Sequence, residues 1–226
     1  MMKVIKLFSL TQGLSSIQRY SQLHLLKPES VMEHTGFVCL FTYVLCEELD
    51  SYALTISEKF NRGAALERAI VHDIDEAVTG DIPRPTKYYN KHSIAVFDEI
   101  SVRGIDQIVY ELSLEKSSIK KDWSCSKSGK EGLVVALADL SSVVCKLWEE
   151  VVMLGNKKLF RQSKGVEDHL ASFREKLKFD DHEFAMNDIQ VNCFMEIICQ
   201  LQEIIDSINE MPEAMHGTFG NFEAKP

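Results

Sequence analysis

The sequence predicts an all-α protein, and three observations support this prediction. Apolar residues recur with helical spacing along most of the chain. No segment shows the alternation of apolar and polar residues that is typical of a half-buried strand. No sequence repeat or low-complexity segment interrupts the helical pattern. With 226 residues, of which 45% are hydrophobic and 26% charged, the chain is large enough for one substantial core.

The first two predicted helices lie on either side of a proline. The first covers residues 14–26 and ends before Pro28. The second begins after Ser30, because Ser30 and Glu33 have the spacing of a capping box, and it extends to about Asp50.

The remaining helices are separated by segments rich in glycine, proline or polar residues. A helix predicted at 63–78 is ended by the segment 79–85. A helix at 91–115 is expected to be interrupted near Gly104, and residues 117–132 are expected to form a polar loop. Further helices are predicted at 133–154, 163–178 and 187–210.

The pattern indicates a single domain at residues 1–211 and a flexible tail at 212–226. The segment 186–211 is amphipathic and rich in isoleucine. The sequence leaves two roles open for it, since it can complete the core or form the face of a homodimer.

The chain is acidic, with 25 Lys and Arg residues against 34 Asp and Glu residues and a formal charge of −9. This balance argues against a broad nucleic-acid-binding face, which needs clustered cations. We expect neither a signal peptide nor a membrane-spanning helix. The six cysteines include no CxxC pair, and several lie in apolar helical runs, where they are expected to be small buried residues in a reducing cytosol. The expected location is therefore cytoplasmic.

A His-Asp pair followed by a glutamate stands out in the third predicted helix. On a helix, Glu76 lies one turn from both His72 and Asp73, so the three side chains can share one rim. Aliphatic neighbours indicate an enclosed helix, in which an unpaired carboxylate is costly. A His-Asp pair on the surface is the alternative.

Asp139 and His34 are candidate partners for this pair. Asp139 follows small or aliphatic residues from Leu133 to Ala138, and a buried acid must be paired, protonated or bound to a metal. The alternative is an aspartate at the solvent-exposed edge of an amphipathic helix. His34 lies four residues after Ser30, and its alternative is a core histidine bonded to a carbonyl.

These two histidines and two aspartates come from three separate helices, and together they can form the ligand set of one divalent ion. Nitrogen and oxygen ligands without sulfur suit Mn²⁺, Co²⁺, Fe²⁺ or Mg²⁺, and Zn²⁺ is also compatible. His34, His72, Asp73 and Asp139 are therefore a candidate ligand set for one divalent metal ion.

The order His34, His72-Asp73, Asp139 resembles that of the HD-domain metal-dependent phosphohydrolases. The passage from His72 to Tyr88 is similar to the H-D-x-x-E-x-x-x-G-D-[IL]-P-x-P-x-K-Y motif of the YfbR-like 5′-deoxynucleotidase branch, with every fixed position filled. The resemblance covers about residues 14–150. It implies an HD-domain helical bundle that hydrolyses a phosphate ester at a single metal ion.

The resemblance also implies roles for individual residues. By motif position, the two histidines and two aspartates are the metal ligands. Glu76 corresponds to the carboxylate that orients or deprotonates the attacking water, and Asp81 to an acid at the scissile phosphate and sugar. Arg19 matches an N-terminal arginine that binds the phosphate. Glu76 and Asp81 are therefore the candidate catalytic residues.

Two positions depart from the usual pattern of the branch. Tyr20 follows Arg19 where tryptophan is usual, and Arg84 lies between the two prolines where a small hydroxyl residue is common. Arg84 and Lys87 are candidate cations for additional phosphate oxygens, although each can equally face water. The lysines of the segment 120–130 are expected to be solvated, and contact with a phosphate tail is the alternative.

The favoured hypothesis is hydrolysis of a deoxyribonucleoside 5′-monophosphate to deoxynucleoside and phosphate, with a small deoxynucleotide as the partner and no nucleic-acid polymer or membrane. Phage-type relatives that release triphosphate from dNTPs make a dNTP triphosphohydrolase the nearest alternative. A catalytically silent nucleotide sensor or scaffold, and a plain helical interaction protein, are the alternatives of other classes.

Overall fold

The computed structural model of the protein describes residues 4–180 and 184–210, and the expected tail at 212–226 lies outside these ranges. The described residues form helices and turns without a β-strand, apart from an isolated antiparallel bridge between Gln18 and Ser30. The all-α prediction is confirmed. In chain order the helices are α1 (Val4–Ser16), α2 (Val31–Ser51), α3 (Arg62–Val71), α4 (Glu76–Thr79), α5 (Arg84–Lys87), α6 (Lys91–Leu112), α7 (Ile119–Ser124), α8 (Gly129–Trp148), α9 (Ser163–Asp180) and α10 (Asp188–Asn209).

Local sequence determines where several of these helices begin. The predicted capping box of α2 is present: Ser30 Oγ accepts a hydrogen bond from the Glu33 amide at 3.2 Å, and Glu33 Oε2 accepts one from the Ser30 amide at 2.7 Å. Asparagine side chains cap three other helices by accepting hydrogen bonds from backbone amides. These caps are Asn61 for α3, Asn90 for α6 and Asn187 for α10.

Helices α2 and α8 form the centre of the bundle. They pack extensively on each other, and α3 packs on both. Together with α9 and α10 they enclose the main hydrophobic cluster, whose members include Val38, Leu137 and Phe194. None of the helices within residues 4–180 and 184–210 combines the length and apolar character needed to cross a bilayer.

A second hydrophobic cluster lies between α1 and α6. The first turn of α2 and the end of α3 contribute Val31 and Val71 to this cluster, while the rest of both helices packs in the main cluster. The region around His34 and His72 therefore lies where the two clusters meet.

The predicted helix at 14–26 is wrong, because the first helix ends at Ser16 and residues 17–30 form a loop. The Arg19 amide donates to the Glu29 carbonyl at 2.8 Å, and the Val31 amide donates to the Ile17 carbonyl at 3.0 Å. These cross-loop bonds use backbone groups that a helix would pair internally. Long-range partners thus override the local helical pattern.

Three further boundaries differ from the predictions. The helix expected at 63–78 is divided, since α3 ends at Val71 and a turn at 72–75 precedes α4. Helix α6 is continuous through Gly104, where an added Cβ would lie 3.2 Å from Thr79 Cγ2, so this glycine permits close packing. The expected polar loop at 117–132 contains α7 and the start of α8.

Candidate active site

The structure brings together the side chains of the four predicted ligands, which come from three parts of the bundle. His34 is in the first turn of α2, His72 and Asp73 follow the end of α3, and Asp139 is in the middle of α8. The Nε2 atoms of His34 and His72 are 3.3 Å apart. Asp73 Oδ2 lies 3.0 Å from His72 Nε2, and Asp139 Oδ1 lies 3.2 Å from His34 Nε2.

In each imidazole, the Nδ1 atom makes a contact that orients the ring. His72 Nδ1 donates to the carbonyl of Ala69 at 2.7 Å, so its proton is on Nδ1. His34 Nδ1 contacts Ser142 Oγ at 3.1 Å, with Glu29 Oε1 at 3.9 Å, and these oxygens favour the same tautomer. When both rings are neutral with the proton on Nδ1, their Nε2 lone pairs face the aspartates, where a metal ion would lie.

These atoms fit a divalent metal ion. The donor atoms of His34, His72 and Asp139 all lie within 4.8 Å of one another, and Asp73 lies against His72. Neutral imidazole nitrogens and carboxylate oxygens are suitable ligands for divalent transition metals. The two ring nitrogens are too polar to face each other in an interior without a cation or proton between them. The cluster can thus hold a metal ion.

Electrostatics at the cluster keep both aspartates ionised. Burial acts to raise the pKa of Asp73 and Asp139, but neighbouring positive groups outweigh it and lower both pKa values. For Asp73 the largest lowering cause is His72, followed by Lys127, and for Asp139 it is Lys127, followed by His34. For His34, which is fully buried, the loss of water lowers the pKa and favours the neutral ring that can bind a metal.

Glu76 lies at the start of α4, directly after the turn that carries His72 and Asp73. Its Oε2 atom is buried and has no hydrogen-bond partner among the described residues. Burial, followed by the negative charges of Asp73 and Asp81, raises the pKa of Glu76 to about 10. An unpartnered carboxyl group of this kind is available to exchange a proton with a bound water molecule.

The loop between α1 and α2 carries Arg19 and Tyr20 to the site. The Tyr20 amide donates to Asp81 Oδ2 at 2.9 Å, and Tyr20 adopts a left-handed backbone conformation with φ of 57°. The Arg19 guanidinium lies 4.9 Å from the centre of the Tyr20 ring and 3.4 Å from Glu29 Oε1. Asp81 therefore helps to fix the loop that presents Arg19.

A buried carboxylate secures the other end of this loop. Glu150 is fully buried in the π turn (Glu149–Met153) that follows α8. It accepts hydrogen bonds at 2.8 Å from the amides of Leu26 and Lys27, and another at 2.7 Å from Asn156 Nδ2. The loop is thus tied to the bundle at both ends.

Arg84 and Lys87, the two other predicted substrate-binding cations, lie on α5. The Arg84 side chain is exposed and stacks 4.6 Å from the centre of the Tyr88 ring. Within the described part of the chain, neither residue forms a hydrogen bond or ion pair with the metal-ligand set.

The sequence analysis missed three residues that contact the predicted ligands. Ser142 is one turn from Asp139 on α8, so helical spacing could have indicated it. Glu29 pairs with Arg19 across the loop, and Lys127 pairs with Asp139 at 2.5 Å. No local signal distinguishes these two, because their contacts depend on loop conformations determined by distant residues. Lys127, which the sequence predicts to be solvated, is about half exposed, but its ammonium pairs with Asp139.

An all-α bundle in which a histidine, a His-Asp pair and a distant aspartate converge defines the HD-domain class of phosphohydrolases. The family model described as YfbR-like 5′-deoxynucleotidase matches residues 6–201. The chain belongs to this family, and it is an enzyme.

Curated relatives include 5′-deoxynucleotidases from Enterobacter sp. strain 638 and Vibrio parahaemolyticus. The Enterobacter protein is 28% identical over 165 residues, which cover 70% of this chain and 78% of the relative. The Vibrio protein is 28% identical over 159 residues, which cover 66% of this chain and 77% of the relative.

Solved structures support the fold. An HD-domain phosphohydrolase from Listeria innocua aligns with a TM-score of 0.60 and 18% identity, covering 92% of this chain and 99% of that one. A conserved hypothetical protein from Pyrococcus furiosus aligns with a TM-score of 0.64 and 21% identity, covering 89% of this chain and 99% of that one.

Proposed function

We propose that the chain removes the 5′-phosphate from deoxyribonucleoside 5′-monophosphates by attack of water, with a divalent ion bound by His34, His72, Asp73 and Asp139. One observation carries the proposal: two imidazole Nε2 atoms 3.3 Å apart face two ionised carboxylates, beside a carboxyl oxygen of Glu76 that is buried and without a partner among the described residues. The names of the curated relatives support the substrate class.

The bound ion would polarise a phosphate oxygen and lower the pKa of the attacking water. Glu76, whose Oε2 has no hydrogen-bond partner among the described residues, would orient that water, and it would accept the proton once the positive charge of the bound ion lowers the raised pKa of its carboxyl group. Arg19 would bind the phosphate and offset its negative charge. Asp81, which already holds the Tyr20 amide, would keep Arg19 in position and present its second oxygen to the substrate.

The Tyr20 side chain would contact the sugar. Its hydroxyl is buried and has no hydrogen-bond partner among the described residues, so a substrate oxygen can supply one. Arg84 and Lys87 are also proposed substrate contacts, and the exposed Arg84 guanidinium stacks on the Tyr88 ring.

The metal identity, location and assembly are also parts of the proposal. The ligand set suits Mn²⁺, Co²⁺, Fe²⁺, Mg²⁺ or Zn²⁺. All six cysteines are free thiols, as is usual in a reducing compartment, which supports a cytoplasmic location. A homodimer remains a prediction.

Product identification tests the proposal. Purified protein supplied with each metal in turn is incubated with dNMPs, NMPs and dNTPs, and released phosphate and triphosphate are measured separately. We expect phosphate from dNMPs and little from NMPs. Triphosphate release from dNTPs, without phosphate release from dNMPs, would establish the alternative activity. Protein that retains metal and binds nucleotides without turnover would establish a sensor.

A further inference from the structure

The segment 120–130 contains several lysines, and the structure separates their roles. Lys120 pairs with Asp106 on the surface, at 2.5 Å, and both side chains are about half exposed. Lys130 donates to the backbone carbonyls of Glu58 and Lys59 and stacks over Phe60. Lys127 differs from both, because its ammonium contacts a predicted metal ligand.

Packing of the backbone determines the position of Lys127. It lies in the turn between α7 and α8, and this turn packs directly on Gly132 in the first part of α8. A Cβ atom at position 132 would lie 2.7 Å from the carbonyl carbon of Lys127 and 3.1 Å from the carbonyl oxygen of Cys125. Arg68 Nη1 also donates to the Ser128 carbonyl at 3.0 Å. A glycine is therefore required for this approach of the Lys127 backbone to α8.

The side chain extends from this turn to Asp139. The Lys127 side chain is 47% exposed, whereas the side chain of Asp139, which the ammonium contacts, is only 13% exposed. The two carboxylate oxygens of Asp139 have different partners. Oδ1 lies 3.2 Å from His34 Nε2, and Oδ2 accepts a hydrogen bond from Lys127 Nζ at 2.5 Å. The Lys127 ammonium has three hydrogen-bond donors, and among the described residues it donates to Asp139. The other two donors are available to a ligand.

The balance of charges shows why a second cation is needed. A divalent ion would be neutralised by the two carboxylates of Asp73 and Asp139. Arg19 is already paired with Glu29 at 3.4 Å. A phosphate monoester with nearly two negative charges, beside Asp81, would therefore lack sufficient positive charge without another cation.

We propose that Lys127 is a substrate-binding residue whose ammonium holds a phosphate oxygen while it keeps its contact with Asp139. This inference rests on the proposed function, and it assigns to Lys127 the position of second cation that the sequence indicated for Arg84 or Lys87. The structure offers one competing role, in which the ammonium only orients Asp139 as a metal ligand.

The two roles predict opposite changes in metal binding. A phosphate-binding cation repels the metal ion, so its removal leaves Mn²⁺ affinity unchanged or increases it. A cation that orients Asp139 supports the ligand, so its removal decreases Mn²⁺ affinity.

Calorimetric titrations of Mn²⁺, and then of inorganic phosphate into Mn²⁺-loaded protein, distinguish these roles in wild type, Lys127→Met, Lys127→Arg and Lys120→Met. We expect phosphate to bind Lys127→Met about tenfold more weakly or worse, as for loss of a charge-assisted hydrogen bond. Lys127→Arg should retain most of the affinity. Lys120→Met, which also removes a lysine paired with an aspartate, should match wild type.

Equal phosphate affinity in wild type and Lys127→Met would overturn the inference, as would weaker Mn²⁺ binding in that variant or no phosphate binding by wild type. Thermal unfolding of each variant checks that it is folded, and the exposed Lys127→Arg substitution gives a second readout. Failure of the proposed function has a different signature: wild type would bind phosphate through Lys127 yet release none from any dNMP.

Discussion

The orientation of His34 depends on one hydroxyl group, and a neighbouring serine provides a matched comparison. Ser142 Oγ contacts His34 Nδ1 at 3.1 Å, while Ser141 Oγ donates to the Leu137 carbonyl within α8. Both serines are 3% exposed. They therefore differ in their partner and not in burial.

Ser142→Ala should reduce divalent-metal affinity by about 10–100-fold, the usual effect of removing a group that orients a metal-binding histidine. Ser141→Ala should leave the affinity close to that of wild type. Metal content after dialysis against graded chelator measures both. Equal metal loss in the two variants would indicate that helix packing, and not the orientation of His34, is responsible.

The raised pKa of Glu76 predicts a pH-dependent cost to folding in the metal-free protein. The folded-state pKa is about 10, well above the ordinary glutamate value, because of burial and of the charges on Asp73 and Asp81. Between these two pKa values the folded state binds more protons than the unfolded state. Stability therefore falls as pH rises through this window, by at most about 1.4 kcal/mol per pH unit for one proton.

Glu76→Gln removes this titration. In the presence of EDTA, the free energy of urea unfolding of the variant should decrease less than that of wild type between pH 6 and pH 9. With metal restored, the same variant should lose activity by about 10²–10⁴-fold, the usual contribution of a general base. Parallel stability profiles for the two proteins would contradict the assignment of the pKa.

At the scale of elements, helices with strong local signals are predictable from the sequence. The capping box of Ser30 and Glu33 is satisfied by contacts three residues apart, so the start of α2 and the place of His34 follow from local pattern. The burial of Asp139 is similarly indicated by the apolar run before it. The chemistry of these side chains indicates one candidate ligand set, and the family resemblance adds the roles of the individual residues.

The loop between α1 and α2 could not be predicted in the same way. Its conformation depends on Asp81 and Glu150, which are 61 and 124 residues from their respective partners Tyr20 and Leu26. No local window contains both groups of such a contact. The position of Lys127 could not be predicted either. It depends on Gly132 in the following helix, and the local sequence does not distinguish this glycine from an ordinary small residue.

Glycine substitutions test the packing of the turn on α8. A Cβ at Gly132 would overlap the Lys127 backbone, whereas a Cβ at Gly36, on the exposed side of α2, meets nothing within 4 Å. Gly132→Ala should therefore destabilise the protein by about 1–3 kcal/mol, as overpacking does. Gly36→Ala should stabilise it by up to about 1 kcal/mol, because alanine favours helix.

Urea unfolding of both variants measures these opposite effects. Gly132→Ala should also weaken phosphate binding, because the Lys127 backbone must move away from α8. A Gly132→Ala protein as stable as wild type would show that the turn can shift without cost, and would contradict the close approach described above.

At the scale of the whole molecule, part of the net charge of −9 comes from acidic residues that are grouped at the candidate active site. Asp73, Asp139 and Glu76 are gathered where the two hydrophobic clusters meet, and the folded chain opposes them with Lys127 and Arg19. A small anionic substrate must therefore be attracted by a few local positive charges on an otherwise acidic protein. This arrangement suits a nucleotide and opposes a nucleic-acid polymer.

Metal binding at these grouped residues is also linked to the stability of the whole bundle. The ligands come from α2, from the turn after α3 and from α8, so an ion bound between them would connect three elements that the unfolded chain leaves apart. At a free concentration 100 times the dissociation constant, binding to the folded state adds about 2.7 kcal/mol. For a protein of this size, that corresponds to an increase in Tm of about 5–10 °C.

Thermal unfolding with Mn²⁺ and with EDTA measures this increase. Asp139→Asn should abolish it, because the variant removes a ligand charge with little change in side-chain volume. Asp106→Asn, which alters a surface aspartate paired with Lys120, should retain the full increase. If Asp139→Asn and wild type gained equal stability from Mn²⁺, the ion would be bound elsewhere, and the three helices would not meet at a metal site.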